Sequence, residues 1–383
     1  SDGSYGNSES YDVALGDVDG DGDLDAWVAN SSSQANRVWI NQGGDQGGIP
    51  GTYADSNQDL GSSSSFDVAL GDLDGDGDLD AWVANYGQPN RVWVNQGGLQ
   101  GGTPGNFADS GQVLGNYFSW EVDLGDIDGD GDLDAWVANA ADQANRIWIN
   151  DGLGNFADSG QLLGNFSSHA VALADLDGDG DLDAWATNTG QPNHVWINQG
   201  GNQGGSPGTY IDSGQALGNS FSVGINLGDI DGDGDHDAFV ANSREPNRVW
   251  INDGFGNFSD SGQDLGNAFS FDVTLGDLDG DGDLDVWVAN YNNQANLVWV
   301  NQGGNQGGAL GTYADSGQAL GSYSSLAVAL GDLDSDGDLD AWVANDNQPD
   351  RLWINQGGAQ GGTPGIYTDS VQDLGSTGSR SEE

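Results

Sequence analysis

The string D-x-D-x-D-G-D-x-D occurs seven times in this 383-residue chain and constrains it more than any other feature. It begins at Asp17, Asp72, Asp126, Asp175, Asp229, Asp277 and Asp332, at intervals of 55, 54, 49, 54, 48 and 55 residues. A period of about 50 residues marks a repeat architecture, in which each unit buries its apolar surface only against its neighbours. The two short intervals have one cause. Units 1, 2, 4, 6 and 7 are followed by a Q-G-G-x-Q-G-G-x-x-G loop, as at Gln96–Gly105, whereas units 3 and 5 carry a compact D-G-x-G-N-F turn at Asp151–Phe156 and Asp253–Phe258.

Unit 2 shows how one repeat folds. Phe66–Gly71 reads as a strand of small and apolar residues, and the Asp72–Asp80 loop follows. Ala81–Ala84 reads as a second strand ending at Asn85. Tyr86–Asn90 is a turn with Pro and Asn where turn chemistry favours them. Arg91–Val94 alternates as a third strand, and Asn106–Asp109 is a short polar fourth. No helical period appears. A four-stranded sheet apolar on both faces needs a neighbour on each side, so the predicted fold is all-β: a seven-bladed β-propeller with four antiparallel strands per blade. A linear solenoid would want atypical end repeats, and units 1 and 7 look typical.

The predicted domain is a single one over 1–375, with repeats near 11–60, 61–114, 115–163, 164–217, 218–265, 266–320 and 321–375, and a flexible tail at 376–383. The N-terminus lacks the outer-strand segment that precedes every later unit, and Tyr367–Ser370 supplies one at the other end. Each blade is then contiguous in sequence, and the ring closes by face-to-face packing. Gln372–Gly375 recurs before every other first strand and is expected to help lock blade 7 to blade 1.

The loop points to a cation. Ca²⁺ takes six to eight oxygens from carboxylates, carbonyls and water. Aspartates at positions 1, 3 and 5 turn alternate carboxylates toward one centre, Gly at 6 allows a sharp turn, position 7 offers its backbone carbonyl and a carboxylate at 9 closes the shell. In order, the candidate metal residues are Asp17, Asp19, Asp21, Asp23 and Asp25; Asp72, Asp74, Asp76, Asp78 and Asp80; Asp126, Asp128, Asp130, Asp132 and Asp134; Asp175, Asp177, Asp179, Asp181 and Asp183; Asp229, Asp231, Asp233, Asp235 and Asp237; Asp277, Asp279, Asp281, Asp283 and Asp285; and Asp332, Asp334, Asp336, Asp338 and Asp340. Five carboxylates in nine residues repel one another without a counter-ion. About seven Ca²⁺, one per blade, are expected, in a structural role; Mg²⁺ keeps more of its waters and fits less well.

The core V-A-L-G-D-L-D-G-D-G-D-L-D-A-W-V-A-N at Val68–Asn85, with N-R-V-W-V-N at Asn90–Asn95, resembles the FG-GAP/VCBS repeats, which are related to the blades of integrin α-subunit propellers. The resemblance covers roughly residues 11–375. It implies a calcium site whose first, third, fifth and ninth ligand positions fall on Asp72, Asp74, Asp76 and Asp80, and likewise in the other units. Ser335 at the fourth position of unit 7 and His236 at the eighth of unit 5 depart from the pattern.

Composition narrows the function. The net charge is −54, from 61 acidic residues (56 Asp, 5 Glu) against seven Arg and no Lys, which argues against nucleic acid and anionic membranes as partners. No apolar run reaches the ~18 residues of a membrane span. Cys is absent, so neither disulfides nor thiolate metal sites arise. The chain starts at Ser1 without Met and is expected to be processed.

Trp recurs on the second strand (Trp27, Trp82, Trp136, Trp185, Trp287, Trp342, with Phe239 in unit 5) and on the third. Packing between blades is the expected role; a sugar-binding platform is the sharper one. Trp120 falls outside the pattern and is the better candidate for a surface contact. Arg37, Arg91, Arg146, Arg248 and Arg351 are expected to bridge to strand-4 aspartates such as Asp55, Asp109, Asp158 and Asp260. His169, His194 and His236 sit at three different repeat positions, with no partner to make any of them a general base. No enzymatic activity is expected, and a polysaccharide-active enzyme is the remote alternative. Asn30, Asn165 and Asn257 fit the N-glycan acceptor pattern. The expected protein is extracellular or on a cell surface. It acts as a binding or adhesion module for a protein or carbohydrate ligand, or as a subunit that assembles with copies of itself into a fibre or layer.

Overall fold

The computed structural model describes residues 9–372 and Leu374; the predicted tail at 376–383 lies outside the described residues. Seven antiparallel sheets form a ring, each with its strands in chain order. In blade 1 the four strands are Ser10–Gly16, Asp25–Asn30, Arg37–Asn41 and Tyr53–Asp55. Blade 6 adds Leu320–Tyr323, paired with its long third strand Gln294–Asn301. Each first strand packs against the first strands of both neighbours, and Ser325–Gly331 of blade 7 meets Ser10–Gly16 of blade 1. The first strands therefore surround the axis, and the ring is closed.

The second strand is buried over its whole length in every blade. Its aromatic residue, Trp27, Trp82, Trp136, Trp185, Phe239, Trp287 or Trp342, is fully buried between two blades, so these residues are core. Trp82 reaches Phe156 of the next blade edge-on at 6.4 Å, a favourable aromatic geometry.

At position 8 of each cation loop a leucine usually lies against the glycine that ends the preceding blade's first strand. A Cβ added to Gly16 would stand 2.6 Å from Leu79 Cδ1. Blade 5 has the exposed His236 there instead, and the facing residue in blade 4 is Ala174 rather than Gly. The lost leucine is answered by one added methyl.

Closure uses a contact repeated at all seven joints. A glutamine between the fourth strand and the next blade donates to the carbonyl of that blade's outer loop and accepts the N–H that opens its fourth strand. Gln58 does so with Gly105 (2.7 Å) and Phe107 (2.8 Å). Gln372 does the same at the final joint, donating to Gly51 (2.6 Å) and accepting from Tyr53 (3.2 Å), while Leu374 is buried beside Val13 and Tyr53. At the inner end Glu9 bridges to Asp346. Glu9, Gln372 and Leu374 thus lock blade 7 to blade 1 through the same kinds of contact that join the other blades.

Gln372→Ala removes both hydrogen bonds of that clasp. A loss of about 1–3 kcal/mol is expected, read from the denaturant midpoint. An unchanged midpoint would show that the clasp does not carry closure.

Candidate metal centre

Each nine-residue loop is folded by its own carboxylates. Asp17 accepts the N–H groups of Gly20 (2.8 Å) and Asp21 (3.0 Å) on Oδ1 and of Gly22 (3.0 Å) on Oδ2. Gly22 sits at φ +97°, closed to L side chains, so glycine is required at position 6. Position 4 is less strict. Ser335 stands there at φ +62°, and its hydroxyl donates to Asp23 of blade 1 at 3.2 Å.

The ninth aspartate is the buried corner of the loop. Asp80 accepts Leu73 N–H on Oδ2 (3.1 Å) and Asn95 N–H on Oδ1 (2.8 Å), joining loop, second strand and third strand. Burial, with the like charge of the third aspartate, raises all seven of these carboxyls to about 7. A neighbouring cation would reverse that penalty.

The first, third and ninth aspartates converge. In the triads Asp17–Asp19–Asp25, Asp72–Asp74–Asp80, Asp126–Asp128–Asp134, Asp175–Asp177–Asp183 and Asp229–Asp231–Asp237, one oxygen from each residue lies within 4.8 Å of the other two. Ligands on opposite sides of a Ca²⁺ ion are about 5 Å apart, so three such oxygens can share one ion. The third aspartate gives the test of fit. Its Oδ1 is buried without a hydrogen-bond partner in all seven loops, at Asp19, Asp74, Asp128, Asp177, Asp231, Asp279 and Asp334. An orphaned carboxylate oxygen facing two others suits a cation.

The fifth and seventh aspartates are not in these triads. Asp76 Oδ1 accepts Asp78 N–H (3.0 Å), and its Oδ2 accepts Leu99 N–H (3.0 Å) from the Gly-rich loop. The seventh aspartate keeps a buried, unpartnered Oδ2 at Asp23, Asp78, Asp181, Asp283 and Asp338, in the five blades with long loops. There Gly43 and its counterparts leave the room: a Cβ on Gly43 would stand 2.0 Å from Asp23 Oδ2.

Two sets of residues at this site carry no signal for a ligand in the sequence. The second glutamine of the Gly-rich loop lies in a short 3₁₀ turn and donates to the third aspartate's Oδ2. Gln46 binds Asp19, Gln100 binds Asp74 and Gln306 binds Asp279, each at 2.5 Å; Gln203 and Gln360 bind Asp177 and Asp334. The asparagine ending each third strand donates to its own loop and to the loop of the preceding blade. Asn95 reaches Leu79 C=O (3.2 Å) and Val18 C=O (2.8 Å). Recurrence of Q-G-G-x-Q and N-R-V-W-V-N was the only available clue to either.

The arginines differ partly from expectation. Arg91, Arg146 and Arg248 approach Asp109, Asp158 and Asp260 at 3.8, 3.5 and 3.9 Å. Arg37 pairs instead with Asp59 at 2.7 Å, and Arg248 also takes Asp264 at 2.7 Å. In blades 1 and 5 the aspartate that follows the clasp glutamine lies closer than the strand-4 one. His194 replaces Arg in blade 4 and meets Asp212 at 3.1 Å. Asn30 is buried, its amide donating to Ala35 C=O (2.8 Å), which leaves no room for a glycan in the folded chain; Asn165 and Asn257 are exposed.

Asp80→Ala leaves two buried N–H groups unpaired. With EGTA present, so that no cation contributes, a loss of about 2–5 kcal/mol is expected, against under about 0.5 kcal/mol for a surface change such as Asp109→Asn. Equal denaturant midpoints for the two variants would refute the structural role of the ninth aspartate.

The FG-GAP-like repeat model matches residues 17–83, 72–137, 126–186, 175–240, 229–288 and 277–343, each match running from one cation loop through the next. No curated protein matches the chain in sequence. Among solved structures, BBS1N from its complex with ARL6DN, soaked with mercury, is similar at 12% identity and a TM-score of 0.55, covering 88% of this chain and 89% of that one. A functionally unknown protein from Desulfotomaculum acetoxidans is similar at 12% identity and a TM-score of 0.54, covering 92% and 94%. At that identity the likeness concerns the fold alone. The repeat matches, the seven blades and the loop geometry together place this chain in the FG-GAP-like repeat family.

Proposed function

We propose that this protein is a calcium-loaded propeller that works outside the cell as a non-catalytic binding or adhesion module. The observation that carries the reading is the orphaned Oδ1 of the third aspartate, repeated in seven loops beside two converging carboxylates. Ca²⁺ supplies positive charge at each loop. The chain's own residues build the cradle: the first aspartate folds the turn, the ninth anchors it to the sheet, and the third offers a free oxygen. Sites so exposed at positions 4 and 6 suit the millimolar calcium found outside cells. No helix among the described residues is long and apolar enough to cross a membrane. A repeated, uniform rim suits recognition of a protein or glycan better than turnover of a substrate.

Saturating a site at 100 times its dissociation constant stabilises the fold by about 2.7 kcal/mol. Calorimetry with Ca²⁺ and then with excess EGTA should therefore show a melting temperature lower by many degrees in EGTA. Equal melting temperatures would sink the calcium reading.

A second reading, assembly of rings into a fibre or layer, has its own observation. Ile49, Leu99, Leu153 and Phe255, on the connections between third and fourth strands at the cation-loop rim, are 74%, 83%, 70% and 76% exposed. Apolar side chains presented around one rim favour stacking. Light scattering should then rise with protein concentration and Ca²⁺ and fall in the Leu99→Ser/Phe255→Ser variant. Monodisperse rings under all these conditions leave the single-ring module.

A further inference from the structure

The ring axis gathers a second set of chemistry, unrelated to the cation loops. Every first strand has a bulge just after its opening serine, and bulges re-aim side chains. Five of the residues placed there are rings: Tyr11, Phe66, Trp120, His169 and Phe271. In four blades the next residue is a carboxylate: Asp12, Asp67, Glu121 and Asp272. All nine line one axial cavity of about 110 Å³. A second cavity of about 210 Å³ shares Tyr11, Trp120, His169 and Phe271 and adds the half-exposed Phe221. The two form an apolar vestibule above an acidic floor.

The carboxylates each spend one oxygen on a backbone N–H of the next blade: Asp12 on Val68 (3.0 Å), Asp67 on Val122 (2.7 Å), Glu121 on Val171 (3.3 Å) and Asp272 on Val328 (2.9 Å). Bracing does not explain the charge. Blades 4, 5 and 7 make the same joint with Ala170, Gly224 and Ala327 at that position. No Arg is among the residues lining the cavity. Burial and mutual repulsion hold Asp67 and Glu121 well above the usual carboxylate range and Asp272 at about 7. Four carboxyls therefore share a cavity without a counter-charge, a cost met by holding protons, as between the hydrogen-bonded Asp12 and Asp67, or by taking in a cation.

His169 is the independent sign of a ligand. It is 6% exposed, it lines both cavities, and its Nδ1 has no hydrogen-bond partner. Its ring lies 4.0 Å from Trp120 and 5.3 Å from Phe271. Aromatic faces attract cations, above all when water is excluded. A bare metal ion would leave these walls unused, whereas an amine with an apolar body uses both the walls and the floor.

We propose that the axial channel binds an organic ammonium ion, its nitrogen among Asp12, Asp67, Glu121 and Asp272 and its apolar body against Tyr11, Trp120 and Phe271. The test is titration calorimetry of the full chain at pH 8 in saturating Ca²⁺, with 2-phenylethylamine hydrochloride, 2-phenylethanol and 3-phenylpropanoate as probes. One saturable site is expected for the amine and none for the alcohol or the acid. Trp120→Leu and Asp272→Asn should each weaken amine binding at least tenfold, while Asp109→Asn on the outer strand leaves it unchanged. Asp272→Asn keeps an acceptor for Val328 N–H, so it decides alone if Trp120→Leu melts early. No saturable heat from the amine overturns the proposal. So does equal affinity in wild type and Asp272→Asn, or amine binding that disappears as Ca²⁺ is raised, which would place the amine in the cation loops.

Discussion

The buried ninth aspartate is the constraint from which the rest of each blade follows. Its two oxygens hold the N–H of loop position 2 and the N–H of the asparagine ending the third strand, as Asp25 does with Val18 (3.1 Å) and Asn41 (2.8 Å). A neutral residue of that size cannot accept on both sides at once without turning a donor toward one of them. The charge is therefore kept where burial opposes it. That tension is local, and the two further carboxylates that the same loop brings beside it deepen it; a cation among the three would relieve it.

The loops are not independent sites on a passive frame. Asn41 donates both to Leu24 of its own loop (3.3 Å) and to Leu333 of the loop one blade back (3.0 Å). The last glycine of each outer loop lies against the third aspartate of the preceding blade: a Cβ on Gly105 would stand 3.1 Å from Asp19 Cβ. A cation that draws Asp19 toward Asp17 and Asp25 acts on a residue that already touches the next blade. If the loop binds a cation, that binding energy is in this way folding energy for two blades. A closed ring with seven such joints has no free end from which to fray.

Much of this was legible from the sequence, and the rest was hidden for physical reasons. The seven loops, the four strands per unit and the buried Trp82 series follow from spacing and alternation. The convergence of positions 1, 3 and 9 follows from the spacing too; that the fifth aspartate stays outside the triad does not, because in blade 2 it turns to the Gly-rich loop, a contact 23 residues away in Asp76–Leu99. Recurrence points Arg37 to a strand-4 aspartate such as Asp55. Asp59 lies closer because it follows Gln58, a residue whose clasp only the assembled ring reveals. Ala174 opposite His236 is a compensation across a blade interface, invisible along the chain. Trp120 and His169 stood out as irregular, but their meeting needs two bulges and a closed axis, and neither leaves a periodic trace.

The acidity of the chain is thus divided between two environments that differ in kind. In the loops, which hold 35 of the 56 aspartates, backbone N–H groups and short spacing bring the first, third and ninth carboxylates together. At the axis, the carboxylates are few, set apart on separate strands and walled by rings. Each accepts a hydrogen bond from a neighbouring blade, and Asp12 and Asp67 also share one with each other. Under the two proposals, the first environment would suit a small ion with oxygen ligands, the second an ammonium with an apolar body. A protein so acidic would be expected to bind cations indiscriminately. The repeat builds one carboxylate cluster seven times from what all blades share, and the other once from the residues in which they differ.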